Sequence, residues 1–170
     1  MSERQIAEPK TVEVKPTGEI ASAPARNPAQ NNNEDQTLMC PSAQPDMAGS
    51  RVLGVVGGTM EAAQVAYLNE SLPVTSELLA STAPLKPTEV FRFAARCEGK
   101  ACRHFDGANC NLATRIVQIL PAVVDALPAC LIRQACRWYQ QEGRAACMRC
   151  PQVVTESFQP SEEFLRAALG

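Results

Sequence analysis

Histidine is nearly missing from this chain: His104 stands alone among 170 residues. No paired carboxylates stand out near it, so nothing in the sequence argues for hydrolytic chemistry, and a binding or redox protein is expected rather than an enzyme. A Rieske centre needs two histidines and is excluded. Aromatics are also scarce, with one Trp, two Tyr and five Phe, and none of them falls in residues 1–50. No apolar run approaches the roughly 20 residues that cross a bilayer. The opening MSERQIAEPKTVEV carries no apolar stretch behind a basic one, so no secretory signal is expected. The net charge of −2 gives no general preference for nucleic acid or membrane.

That average conceals a division. Residues 1–90 hold 6 basic against 11 acidic side chains, whereas residues 91–150 hold 9 basic against 4 acidic. Cysteine follows the same split: seven of the eight lie between Cys97 and Cys150, and only Cys40 lies outside. The expected compartment is the cytoplasm, where dense cysteine points to metal or redox chemistry rather than structural disulfides.

Three regions are expected. Residues 1–50 carry six prolines and the polar run Asn31 to Gln36, and read as a disordered acidic tail with Cys40 a solvated lone thiol. Residues 51–87 read as an extended arm packed on the C-terminal domain, with a strand or two and a short helix at 75–81; Pro73, Pro84 and Pro87 divide it. The turn at Gly57-Gly58-Thr59 lacks the third glycine and lysine of a phosphate loop. Residues 88–170 read as a cysteine-rich helical domain. Thr88 caps a helix with Val90, Phe91, Ala94 and Ala95 on one face. Asn109 or Asn111 caps a second, with Leu112, Ile116, Ile119 and Leu120 at helical spacing up to Pro121. A third runs from Ala129 to Glu142 and stops at Gly143. Ser161, followed by Glu162 and Glu163, starts a terminal helix. The fold class expected is therefore mostly α: a small, irregular, metal-stapled domain.

The thiols form two groups, Cys97-x4-Cys102-x-His104-x5-Cys110 and Cys130-x5-Cys136-x10-Cys147-x2-Cys150-Pro151. A core of about 60 residues is marginal on hydrophobic burial alone, and a bound metal is one staple. Cys130, Cys136, Cys147 and Cys150 are the expected ligands of an iron–sulfur cluster, [4Fe–4S] before other types, with zinc as the alternative. Cys97, Cys102 and Cys110, with His104 a candidate fourth ligand, form a possible second metal site. Disulfides or redox thiols are a further reading, and reduced core cysteines the least favoured. Arginines 96, 103, 133, 137, 144 and 149 each lie within four residues of a cysteine, and would offset anionic charge or simply solvate the module. The Cys147-x2-Cys150-Pro151 finish resembles the close of the bacterial ferredoxin run over about five residues, and the rest of that spacing is absent. The function expected is electron transfer or redox sensing with a protein partner or redox enzyme, against a zinc-stapled interaction module without a redox role. No membrane partner is expected, and no base-reading helix favours nucleic acid.

Overall fold

The stretches VLGVVGG, AQVAYL and FRFAA are rich in β-branched and aromatic residues, and each becomes a strand. The computed structural model describes residues 37–59, 62–156 and 160–170. Residues 1–36, most of the expected tail, lie outside that range. The strands are β1 (Met39–Ala43), β2 (Arg51–Gly58), β3 (Ala63–Pro73) and β4 (Phe91–Arg96), paired antiparallel in the order β1-β4-β2-β3. β1 contains Pro41, which has no N–H to donate and is tolerated because β1 lies at the edge. The register slips between Val52 and Gly54 in both of β2's pairings. A Cβ at Gly54 would stand 2.6 Å from Val65 Cγ1 and 2.7 Å from the Ala66 carbonyl oxygen, so this bulge takes glycine.

Among the described residues six α-helices accompany the sheet: α1 (Ser76–Ala80), α2 (Pro87–Val90), α3 (Asn111–Ile119), α4 (Arg137–Glu142), α5 (Arg144–Cys147) and α6 (Glu162–Leu169). Thr75 caps α1 through its hydroxyl, and Ser161 caps α6 in the same way. Gly143, at φ +60°, separates α4 from α5. Two cores result. Ala43, Val52, Phe93 and Ala95 pack within the sheet, while Ala113, Ile116, Leu120, Cys136, Trp138, Ala146, Val153 and Ala167 pack among the helices. The Met39–Cys136 bridge joins the two, because it lays the start of α4 along β1.

The mostly α class is thus corrected to a mixed α/β fold with a four-stranded antiparallel sheet. The chief reason is β4. Phe91, Ala94 and Ala95 fit a helical face, but this is an interior strand buried on both sides, which reads as a continuous apolar run rather than an alternation. The helix expected from Ala129 to Glu142 is shortened to α4, behind a 3-10 turn at Arg133–Ala135.

Candidate functional site

Cys130, Cys136, Cys147 and Cys150 line one small cavity of about 20 Å³, together with Tyr67 from β3 and Trp138 from α4. Local geometry delivers each. Cys136 is the N-cap of α4, Cys147 ends α5, and Cys150 opens the 3-10 turn that Pro151 continues. Met148 N–H donates to Arg144 at 3.0 Å and Arg149 N–H to Ala146 at 3.1 Å, so the chain from Cys147 to Cys150 stays a helical turn. Residues three apart on such a turn have Cβ atoms about 5–6 Å apart, somewhat wider than the ~3.8 Å of a closed disulfide.

Burial dominates the electrostatics here. It raises the pKa of Cys130 and Cys147, and pushes Cys136 up to about 12. Cys150 is the sulfur felt by every neighbour: its charge would raise Cys130, Cys136, Cys147 and Tyr67 alike. Tyr67 is held protonated, first by burial and then by Cys150. Two guanidinium groups reach the sulfurs. Arg92 Nη2 stands 3.9 Å from Cys150 Sγ, and Arg133, which also donates to the Pro128 carbonyl, lowers Cys147 against its burial.

The second cavity is far larger, about 460 Å³, and Cys40, Cys97, Cys102 and Cys110 share its wall with His104 and Trp138. Cys40 is not a solvated lone thiol. It is half-buried on β1, which pairs with β4 so that Cys40 faces Ala95 and the Cys97 N–H donates to Leu38 at 2.7 Å. Burial pushes Cys40 up to about 12 and raises Cys110 as well. His104 is turned to arginine on both ring nitrogens: Arg103 Nε lies 3.3 Å from Nε2 and Arg115 Nη2 lies 3.3 Å from Nδ1. Its pKa is lowered, by burial first and then by Arg103 and Arg115.

These arrangements overturn the metal reading. Among the described residues, no group of three or more histidine, cysteine, aspartate or glutamate side chains is disposed to hold a metal ion. The iron–sulfur cluster at Cys130, Cys136, Cys147 and Cys150, its zinc alternative, and the second site at Cys97, Cys102, Cys110 and His104 are corrected accordingly, as are the electron-transfer and zinc-module functions built on them. The physical reason lies in the same geometry. Among the described residues the sulfurs that share a cavity wall are not brought to a common point, and both ring nitrogens of His104 are already faced by guanidinium groups. All eight cysteines are free.

Sequence reasoning missed two residues. Cys40 carried no local signal, because strand pairing alone brings it to Cys97. Arg92 did carry one: it is a charge inside the apolar run Phe91 to Ala95. No helix among the described residues is long and apolar enough to cross a membrane. Compared with protein-family models, curated proteins and solved structures, the chain matches none.

Proposed function

We propose that the protein is a dithiol–disulfide exchange protein whose exchanging pair is Cys147 and Cys150. The observation that carries this reading is the gathering of four free thiols around one cavity, two of them three residues apart on a single helical turn. The co-reactant is a disulfide R–S–S–R, either a small thiol's disulfide or one on a partner protein. One sulfur of the pair attacks it, forms a mixed disulfide and releases R–S⁻, which takes up the proton the attacking thiol gives up. The second sulfur then attacks the mixed bond, closes Cys147–Cys150 and releases the second R–SH. Two electrons pass from the pair to R–S–S–R, and the reverse reaction restores both thiols. Cys130 and Cys136 line the same cavity and stay protonated. The cytoplasm is the compartment this reading needs, since a reducing thiol pool returns the pair to its free form.

The test uses the reduced full-length protein titrated with oxidised and reduced glutathione. Exchange predicts a reversible loss of about 2 Da and a midpoint between roughly −300 and −150 mV. Trypsin cuts after Arg149, so the expected disulfide appears as a cross-link between two peptides. A disulfide mapped elsewhere, or no reversible oxidation, refutes the reading.

A further inference from the structure

Among the described residues Arg92 is the one charged side chain with no exposed surface, and it sits on β4 within the sheet. Its Nε donates to the Pro41 carbonyl, its Nη2 points at Cys150 Sγ, and the guanidinium carbon lies 5.5 Å from the centre of the Trp138 ring. Nη1 is buried and has no hydrogen-bond partner. Among the described residues no carboxylate answers this charge, the ion pair present being Lys86 with Glu156. Arginine does not shed its proton in a protein, so a full positive charge is buried here, and an uncompensated buried charge is strongly disfavoured.

The size of the neighbouring cavity restricts what can answer it. About 20 Å³ admits roughly one water, which leaves no space for a carboxylate or phosphate ligand. Cys150 Sγ is the acidic side-chain atom at hydrogen-bond distance from Arg92, 3.9 Å from Nη2. The other groups facing that sulfur are Tyr67, Cys130, Cys136 and Cys147. Burial keeps all four protonated, and Arg133 is turned to Cys147.

We infer that Cys150 is the nucleophile that small disulfides and other soft electrophiles meet first, and that Arg92 is the positioning residue that carries the negative charge on its sulfur during attack. Cys147 is then the resolving thiol. The inference rests on the exchange reading only for this second step. The first step, attack by Cys150, stands on Arg92.

Site-resolved alkylation of the reduced full-length protein by iodoacetamide tests it, with each cysteine followed by mass spectrometry. Cys150 is expected to react first of the four around the tight cavity. Arg92→Gln should slow Cys150 relative to Cys97 by about tenfold or more, the scale of one hydrogen bond to a charged group. Arg92→Lys, which keeps the charge, should recover most of that rate, which a merely structural role does not predict. Earlier labelling of Cys130, Cys136 or Cys147 in the unaltered protein overturns the inference, and needs no variant to fold. Unchanged Cys150 labelling in a folded Arg92→Gln protein overturns it too. If Cys150 labels first and no Cys147–Cys150 cross-link forms, the exchange reading fails while Arg92's role remains.

Discussion

The two cysteine groups present the same number of sulfurs in opposite settings. Around Cys150 the cavity is about 20 Å³, and a wholly buried guanidinium stands behind one sulfur. Around Cys97 it is about 460 Å³, and the nearby guanidinium groups of Arg103 and Arg115 are turned to His104 rather than to a thiol. Reactivity depends on charge held close to sulfur, whereas volume depends on how loosely the walls meet. The tight group has the first and the wide group the second. Trp138 stands in both walls, so the groups are neighbours divided by one indole.

The most forceful way to break this contrast is to remove the divider. Trp138 is 1 % exposed, and Trp138→Ala should cost about 3–5 kcal/mol in urea unfolding, as large-to-small core substitutions do. Alkylation should quicken in both groups; quickening in one alone would mean that the wall is not shared. A milder test is pH. Cys40 in the wide group and Cys136 in the tight one both have folded pKa values near 12, above the ordinary 9.0. The unfolded chain therefore loses these protons first. Their contribution to stability is intact below pH 9 and shrinks as pH climbs towards 12, by about 3 kcal/mol for each thiol at pH 11. Replacing either with Ala should flatten the alkaline limb of a stability–pH curve, and an unchanged limb would contradict burial as the cause. The smallest expected effect separates buried from half-buried sulfur. Cys136→Ala leaves a void in the helical core and should cost about 1–2 kcal/mol. Cys102→Ser should stay within about 0.5 kcal/mol, since Cys102 is half-buried and its sulfur accepts only the His104 N–H, at 3.5 Å. Equal losses at the two positions would erase the distinction.

How far each group was legible in the sequence depends on where its residues come from. Cys130 to Cys150 span 21 residues of short helices and the turns between them, and their nearness in the chain is what made the group legible. Cys40 needed the pairing of β1 with β4, a contact across more than fifty residues that no local pattern records. The same limit applied to the fold. Ser161 with Glu162 and Glu163, and the segment at 75–81, marked α6 and α1 because capping is local. β4 was misread because Phe91, Phe93 and Ala95 fit period two as well as Phe91, Ala94 and Ala95 fit a helix, and six residues cannot separate the two. The error about metal has a related origin. A spacing shows that sulfurs will be close, and it does not tell thiols gathered by burial from thiolates gathered by an ion. What separated them was the placement of the side chains, which among the described residues brings no three such ligands to one point.

Trp138 is the chain's only tryptophan, and that gives the shared wall a practical meaning. Sulfur beside an indole interacts with its ring, so its emission senses what happens to the thiols on either side. A single fluorescence band thus watches both groups at once. Assigning a change in that band to one of them requires the other to be chemically capped beforehand.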